Sequence, residues 1–340
     1  MIVLPELLVG SIITSRVRLA RNLKDYPFKV TEEAKAKDII AKVNRALVKC
    51  DTFNLYYMSN LSSISLEAMK ERHLISQALI DNKRCGACLV NGDQTISVMI
   101  NEEDVIREQC FVKGLGLTEA YKKLTILDDE LAKNLSIAYD EQWGYLTACP
   151  TNVGTGLRAS VMMFLPALTE SGKIGALISE VAELGLTVRG VYGEGSDAEG
   201  YMYQISNEVT LGVGEYEILS LVEKTATQIC KAERDEMEKR YAKKELKTMD
   251  LARKSYGILT NAVMLGYSEF LKLIADVKLG AMLGLIGFKD NCNDIEVIDQ
   301  LIVNVRPANL CERFGKKLNQ LDRDILRAEV VSAQLKKLKD

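Results

Sequence analysis

The alternation of apolar and polar residues in SIITSRVRLARN, residues 11–22, predicts a β-strand. In that strand Arg16 and Arg18 lie on one face and Val17 and Leu19 on the other, because successive side chains point to opposite sides. The same alternation predicts a hairpin, GACLV–NGDQ–TISVMI, with an Asn-Gly turn. Further strands are predicted at residues 143–149, in LTVRGVY and in YMYQISNEVTLG.

Apolar residues at helical spacing predict helices at 31–50, 66–82, 117–139, 172–184 and 215–230. Another helix is predicted to begin near residue 157, where an apolar run follows Arg158. Residues 231–254 carry 15 charged side chains in 24, which indicates a solvated helix joining two domains. From residue 255 onward the pattern is helical, without clear strands. We therefore predict a mixed α+β domain at 1–232 and an all-helical domain at 233–340.

Composition narrows the class of protein. The chain has 340 residues, of which 47% are hydrophobic and 27% charged, as in ordinary globular proteins. Its net charge of −3 gives no basic footprint for nucleic acid. No apolar run reaches the ~20 residues that a membrane span needs, and the opening residues lack the basic region of a signal peptide. We expect a cytoplasmic protein that binds neither nucleic acid nor membrane.

The chain contains a single histidine, His73, and eight cysteines. Catalytic triads with a histidine base and histidine-rich metal sites are therefore nearly excluded, so carboxylates or a cysteine must handle protons. Cys85-Gly-Ala-Cys88 has the spacing of a redox motif or of half a zinc site. Because no second cysteine or histidine pair accompanies it, and because it lies in a predicted strand, we interpret this pair as structural.

Five arginines fall at the ends of predicted strands or at the start of the predicted helix: Arg16, Arg18, Arg107, Arg158 and Arg189. Each alone is typical of a solvated surface side chain. Together, beside glycine-rich breaks, they favour a site in which guanidinium groups bind phosphate oxygens. Arg158, in the first turn of its predicted helix, would add to the positive end of the helix dipole.

Carboxylates occur in two predicted loops. Asn101-Glu102-Glu103-Asp104 ends one strand, and Glu194 lies in the glycine-rich loop after another. Such residues are often acidic turn residues that face solvent. Near one substrate, two of them can anchor a cationic group and accept its proton, while a third can help to hold Mg²⁺.

Four segments together resemble the catalytic domain of the ATP:guanido phosphotransferases: ITSRVRLARN, NEEDVIREQC, GYLTACPTNVGTGLRASVMMFLPAL and RGVYGEGSDAEG. The resemblance covers about residues 11–232, and CPTNVGT followed by an arginine is its most specific part. It implies an antiparallel sheet flanked by helices, of the glutamine-synthetase-like type. It also implies transfer of the γ-phosphoryl group of Mg-ATP to a guanidinium nitrogen.

Within that family the chain is most similar to the bacterial protein-arginine kinases. The phosphagen kinases carry a helical domain before this strand, whereas only 13 residues precede Thr14 here, and they lack the C-terminal helices. Near the end of the chain, Arg323-Asp324-Ile325-Leu326-Arg327-Ala328 matches the RDxxRA motif of a phosphoarginine-binding pocket. By resemblance, Arg323, Asp324, Arg327 and Ala328 bind phosphoarginine.

The resemblance also implies the catalytic residues. Glu103 is the candidate base, Glu194 is the second carboxylate at the guanidinium, and Cys149 is the reactive cysteine beside the substrate. The implied ATP-binding residues are Thr14, Ser15, Arg16, Val17, Arg18, His73, Arg107, Arg158, Ala159, Ser160, Val161, Met162, Arg189, Gly190, Val191, Tyr192, Gly193 and Glu194. One departure from the family pattern is Val105, since a histidine usually follows the NEED sequence. It implies the loss of a loop hydrogen bond or of a nucleotide contact.

The implied partners are protein substrates with exposed arginines, a zinc-binding activator protein, a Clp-type protease for the marked proteins, and a second copy of the chain in a homodimer or higher oligomer. The implied setting is stress-linked protein quality control. Two alternatives remain open: a phosphagen-type kinase that acts on free arginine or a related compound, and a non-catalytic adaptor that binds phosphoarginine.

Overall fold

The computed structural model describes residues 9–191, 198–241, 244–288 and 291–339. Within them the strands are β1 Ile12–Arg21, β2 Phe53–Tyr57, β3 Ala87–Asn91, β4 Ile96–Ile100, β5 Ile106–Lys113, β6 Tyr139–Asp140, β7 Gly144–Tyr145, β8 Leu157–Phe164, β9 Leu186–Gly190 and β10 Met202–Asn207. The helices are α1 Glu33–Leu47, α2 Ser63–Glu71, α3 Gln77–Asp81, α4 Leu117–Asn134, α5 Pro166–Glu170, α6 Ile174–Glu183, α7 Glu215–Tyr241, α8 Glu245–Asn261, α9 Tyr267–Met282, α10 Asn291–Asn304, α11 Pro307–Arg313 and α12 Gln320–Lys339.

Eight of these strands form one sheet in the order β2-β3-β4-β5-β1-β8-β10-β9, and β6 pairs with β7 in a separate ribbon. The pairs β2–β3, β3–β4, β4–β5 and β5–β1 are antiparallel. An α+β architecture with an antiparallel sheet, flanking helices and a helical C-terminal region was predicted, and it is confirmed. None of the helices in the described ranges is long and apolar enough to cross a membrane.

The chain divides into two compact units. The first comprises residues 1–13, 162–205 and 224–340, and the second comprises 14–161 and 206–223. The predicted domain boundary at 232/233 lies inside α7, which runs unbroken from Glu215 to Tyr241.

In the second unit, helices pack apolar faces against the sheet. On α1 the buried residues are Ala36, Ile39, Ile40, Val43, Ala46 and Leu47, the spacing of one helical face. Met58, Leu66, Met69, Leu74 and Leu79 pack with Cys88, Val90 and Met99 of the sheet into a single cluster. The serine hydroxyls of Ser62 and Ser76 cap α2 and α3 by accepting hydrogen bonds from backbone N–H groups.

The predicted helix at residue 157 is wrong, because residues 157–164 form strand β8. Its apolar run is buried almost throughout, with Ala159 and Val161 fully inaccessible. A strand covered on both faces shows a continuous apolar run, which periodicity alone does not separate from a buried helix. Consequently Arg158 is positioned by a strand, and no helix dipole acts there.

Other differences are smaller. The segment predicted as one helix at 66–82 forms α2 and α3, separated at His73 by a left-handed backbone with φ 61°. The predicted strand at 143–149 is limited to Gly144–Tyr145. Strands β2 and β5 had no counterpart in the sequence prediction. In β5 the alternation is hidden because two polar residues, Glu108 and Gln109, are buried along with the apolar ones.

Cys85 and Cys88 are buried free thiols, the latter on β3. Burial raises the pKa of Cys88, so it is not a reactive thiolate. These features favour the structural interpretation of the pair.

Gly156 supports a close backbone approach at the start of β8. Its φ is +61°, and a Cβ atom there would lie 2.6 Å from the carbonyl oxygen of Ala20 and 2.7 Å from Nη1 of Arg21. The same contact lets the N–H of Ala20 donate to the Gly156 carbonyl at 2.9 Å.

We predict that Gly156→Ala lowers the free energy of unfolding by about 1–3 kcal/mol, since it combines left-handed strain with a backbone clash. Chemical denaturation monitored by circular dichroism measures the change. Gly92→Ala is the matched control, because no atom lies within 4 Å of its added Cβ. Equal stabilities for the two variants would contradict the packing described.

Candidate active site

Arginines from three strands of the second unit converge. β1 and β5 pair so that Ala20 is opposite Arg107 and Arg18 is opposite Gln109. Directly opposed residues share a face, so Arg16, Arg18 and Arg107 point to the same side of the sheet. Arg158, on β8, is close enough to Arg16 and Arg18 to lower their pKa values. Four of the five arginines expected to bind phosphate are therefore brought together.

The cluster is electrostatically unfavourable without an anion. Burial, followed by the positive charges of Arg107 and Arg158, lowers the pKa of Arg16 to about 10. The same causes, with Arg16 added, lower the pKa of Arg18, and Glu102 opposes them. A lowered pKa in a basic group means that the fold disfavours its charged form. With a pKa of about 10, Arg16 is still protonated at neutral pH, so the face favours anion binding.

Glu102 is the buried carboxylate that opposes this positive charge. One of its oxygens, Oε1, accepts a hydrogen bond from Arg107 Nη1 at 2.5 Å and another from the Ser76 hydroxyl. Oε2 accepts from the backbone N–H of Glu103 at 2.9 Å. Glu102 thus fixes Arg107 and the loop at the same time.

The loop that joins β4 to β5 presents one side chain outward. Asn101, Glu102 and Asp104 are buried, whereas Glu103 is exposed. Asn101 adopts a left-handed backbone with φ 60°, and its amide donates to the carbonyl of Cys85 at 3.0 Å. Three of the four polar residues therefore hold the loop, and the fourth is free to meet a substrate.

Asp104 anchors the loop to two other segments. It accepts a hydrogen bond from Asn22 Nδ2 at 2.7 Å and one from the backbone N–H of Ala148 at 2.6 Å. Asn22 Oδ1 in turn accepts from the N–H of Val105 at 2.8 Å. These anchoring roles of Asn22 and Asp104 were missed, because the partners are about 80 or 40 residues apart in sequence and leave no local pattern.

Val105, which stands where the family usually has histidine, is fully buried. Its carbonyl accepts from the N–H of Asn101 at 2.8 Å, so the backbone hydrogen bonds across the loop are made. The side chain contributes to the core and does not line the cavity over the arginine face.

A cavity of about 140 Å³ lies over the arginine face. Its lining comprises Arg18, Leu19, Ala20, Glu103, Arg107, Cys149, Thr151, Asn152, Gly156 and Arg158. The candidate base, the candidate cysteine and three of the candidate phosphate ligands therefore share one space. Guanidinium groups bind phosphate bidentately, while a carboxylate and a thiol are suited to a cation.

The Cys149 loop is shaped by short hydrogen bonds and glycines. Cys149 is half-buried, its sulfur lies 3.0 Å from the Thr151 hydroxyl, and its carbonyl accepts from Thr147 at 2.7 Å. Gly154 has φ +110°, and an added Cβ would lie 2.2 Å from the carbonyl oxygen of Thr210. The glycines thus serve close packing as well as turning.

Arg158 is supported from β10. Its Nη2 donates to the Ser206 hydroxyl at 2.9 Å, and Asn207 Oδ1 accepts from the N–H of Ala159 at 2.8 Å. Ser206 and Asn207 were not identified as supporting residues from the sequence, since nothing in their own segment indicates which strand they contact.

Several other candidate ATP-binding residues have side chains that are buried or hydrogen-bonded within the fold. Ser15 is buried, where its hydroxyl donates to the Gly114 carbonyl at 2.7 Å. Thr14 donates to the carbonyl of Val112 at 3.1 Å. Val17, Ala159 and Val161 are fully buried and Ser160 nearly so, and these form part of the core. If these residues contact a nucleotide, they do so through backbone atoms or by positioning neighbouring residues.

His73 lies between α2 and α3, where its carbonyl accepts from Gln109 Nε2 at 2.7 Å. Its side chain is half-buried and does not line the cavity. The first unit contains Met162, on β8, and Arg189 and Gly190, at the end of β9, with Arg189 exposed. The half-buried Val191 follows β9, and its N–H donates to the Met202 carbonyl at 3.0 Å. Tyr192, Gly193 and Glu194 lie outside the described residues.

The RDxxRA residues lie on α12 of the first unit. Arg327 is buried, and its guanidinium donates to the carbonyls of Val305 at 3.0 Å and Leu265 at 2.7 Å and to Asp324 at 2.6 Å. Ala328 is also buried, whereas Arg323 is half-buried. Arg327 therefore joins the segments before α9 and after α10.

Two family profiles match successive stretches of the chain. The profile of the ATP:guanido phosphotransferase C-terminal catalytic domain matches residues 35–236, and that of the protein-arginine kinase McsB C-terminal domain matches residues 243–340. The protein-arginine kinase of Caldanaerobacter subterraneus subsp. tengcongensis is 42% identical over 332 residues, covering 96% of this chain and 97% of its own. That of Clostridium kluyveri is 44% identical over 335 residues, covering 96% and 95%.

Solved structures of guanidino kinases share the fold. The duplicated taurocyamine kinase from Schistosoma mansoni, with bound transition-state analogue components, aligns with a TM-score of 0.59 and 27% identity. The alignment covers 66% of this chain and 33% of that one. Lombricine kinase aligns with a TM-score of 0.57 and 24% identity, covering 68% and 71%, and so supports the fold alone.

Anion binding at the arginine face can be tested with a simple polyphosphate. Inorganic tripolyphosphate at about 100 times its Kd should raise the free energy of unfolding by about 2.7 kcal/mol, because it binds only the folded chain. In Arg18→Gln most of this gain should vanish. Thermal unfolding with and without the anion measures it. Arg84→Gln, which removes an exposed arginine paired with Glu33, is the control, and an equal loss there would contradict a localised anion site.

Proposed function

The chain belongs to the ATP:guanido phosphotransferase family and, within it, to the protein-arginine kinases, and from this premise we propose how its residues act. The reaction is transfer of the γ-phosphoryl group of ATP to an arginine side chain of a protein. The observation that carries the assignment of roles is the shared cavity lining of Glu103, Cys149, Arg18, Arg107 and Arg158.

The acceptor arginine is a poor nucleophile because its guanidinium is protonated and delocalised. Glu103 accepts hydrogen bonds from that group and orients one nitrogen toward the γ-phosphorus. As the nitrogen–phosphorus bond forms, the bond from the γ-phosphorus to the bridging oxygen breaks, and ADP leaves. The proton lost by the attacking nitrogen passes to the Glu103 carboxylate, which acts as general base.

Arg16, Arg18, Arg107 and Arg158 bind the phosphate oxygens. Because their charges already lie together before ATP binds, they neutralise the phosphoryl oxygens without reorganising during the reaction. We assign Arg189 to the same task by resemblance, and Glu194 to the second contact with the acceptor guanidinium. Cys149 lies beside the acceptor, in the cavity that Glu103 also lines.

Mg²⁺ is assigned to the nucleotide. Within the described ranges, no three His, Cys, Asp or Glu side chains lie close enough together to hold a metal ion. The cavity lining, with three guanidinium groups and one carboxylate, likewise offers too few anionic ligands for a metal ion. Mg²⁺ would therefore be held by the phosphate oxygens of ATP, and the steps above use only the chain's own residues.

We propose residues 1–232 as the catalytic domain and 233–340 as the helical domain that binds phosphoarginine. In the motif on α12, Arg323 is the arginine left half-exposed, so it is assigned to the phosphoryl group. Arg327, paired with Asp324 and followed by the buried Ala328, is assigned to shaping the phosphoarginine site. It does so by joining the segments before α9 and after α10.

Family membership further supports a set of partners and a setting as proposals. These are a zinc-binding activator protein, a Clp-type protease that degrades the marked proteins, a homodimer or higher oligomer, and a cytoplasmic location in stress-linked quality control.

We predict that Glu103→Gln folds and binds ATP but transfers phosphoryl groups about 10²-fold or more slowly, the usual scale for loss of a general base. Single-turnover transfer to an unfolded protein measures the rate, and ATP affinity is measured separately. Glu183→Gln, an exposed carboxylate on α6, is the control. Transfer at the wild-type rate by Glu103→Gln would remove Glu103 from the mechanism.

The acceptor class is tested by mass spectrometry after incubation with ATP and either an unfolded protein or free arginine. We expect acid-labile phosphoarginine on the protein. Phosphorylation of free arginine alone would favour a phosphagen-type kinase, and absence of ATP turnover with retained phosphoarginine binding would favour an adaptor.

A further inference from the structure

Four large apolar side chains of the second unit lie exposed near the cavity, and we call them the apolar rim: Tyr139, Trp143, Val209 and Leu211. Each is between 44% and 51% exposed. A single exposed apolar residue is ordinary in a folded protein, but several in one place indicate a binding surface.

Tyr139 and Trp143 belong to the β6–β7 ribbon, which is joined to the cavity loop by backbone hydrogen bonds. The N–H of Tyr145 donates to the Gly154 carbonyl at 2.8 Å, and the N–H of Gly154 donates back at 3.3 Å. Gly154 is two residues from Gly156, which lines the cavity. The ring of Tyr139 packs edge-on against Tyr145 at 5.2 Å between centroids.

Val209 and Leu211 are joined to the same loop through Thr210. The Thr210 hydroxyl donates to the carbonyls of Thr151 at 2.9 Å and Val153 at 2.7 Å. Thr151 lines the cavity. Both halves of the rim are therefore held by the loop of residues 149–156, which also carries Cys149.

The rim is also acidic. Glu141 lies within the ribbon and Glu208 immediately precedes Val209, and both are exposed. An arginine-bearing polypeptide is cationic at its target residue and, when unfolded, exposes apolar side chains. The carboxylates of the rim complement the positive charge of such a chain, and the apolar side chains of the rim complement its exposed apolar residues.

We infer that the apolar rim binds the polypeptide segments that flank the target arginine, so that acceptors with apolar residues beside that arginine are preferred. This inference rests on the proposed function, because it places the acceptor guanidinium beside Glu103 and Cys149. An arginine side chain is short, so the backbone of the acceptor has to pass close to the loop of residues 149–156, which the rim adjoins.

Kinetics and direct binding together test this inference. The variants are Trp143→Ser, Leu211→Ser and their combination, with Ile126→Ser, an exposed apolar residue on α4, as the matched control. The substrates are a reduced, carboxymethylated protein and N-acetyl-arginine amide. We expect the double variant to raise KM for the unfolded protein about tenfold, as when anchor side chains are lost. Its kcat, its KM for ATP and its KM for the small substrate should stay unchanged.

The binding measurement separates the two proposals. Fluorescence anisotropy of the labelled unfolded protein, without ATP, should show weaker binding by the rim variants and none of that loss in Ile126→Ser. If binding follows this pattern but no phosphoarginine forms, the rim stands and the proposed function fails. If the wild-type chain does not bind the unfolded protein, or if the rim variants bind and phosphorylate it like the control, the inference is overturned.

Discussion

Arg16, Arg18 and Arg107 lie on one face of two paired strands, and Arg158 adds a fourth guanidinium from the strand beside them. Neighbouring strands are only about 4.8 Å apart, so these charges repel at short range and partly out of water. Only a rigid sheet can hold them in that arrangement, and Glu102 is the buried counter-charge that fixes one of them. A bound polyanion neutralises this repulsion, so the ligand-free site is already arranged to bind a triphosphate.

The loops around that face are shaped for the same purpose. In the loop between β4 and β5, Asn101, Glu102 and Asp104 make hydrogen bonds to the fold. Glu103 is left as the exposed carboxylate. Gly156 lets β8 begin against β1. Positioning and electrostatics supply most of the catalysis in phosphoryl transfer, so residues that touch neither substrate are as necessary as those that do.

Much of this was predictable from sequence, for physical reasons. The alternation around Arg16 and Arg18 fixes which face they occupy, and that part was confirmed. The strand at Arg158 was mistaken for a helix because a strand buried on both faces loses its alternation. The β5 strand was missed because Glu108 is a buried polar residue at an apolar position. Long-range partners such as Asn22 and Ser206 are set by topology, which no local pattern encodes.

If phosphoryl transfer takes place in the cavity lined by Cys149, Glu103 and Arg18, bound substrates should shield Cys149 from alkylation. Cys149 and Cys50 are both half-buried free thiols, but only Cys149 lines that cavity. Peptide mapping after iodoacetamide treatment, with and without ADP plus an unfolded polypeptide, gives the labelling rate at each cysteine. We expect slower labelling at Cys149 and no change at Cys50 when the ligands are present. Labelling of Cys149 at an unchanged rate would contradict transfer in that cavity.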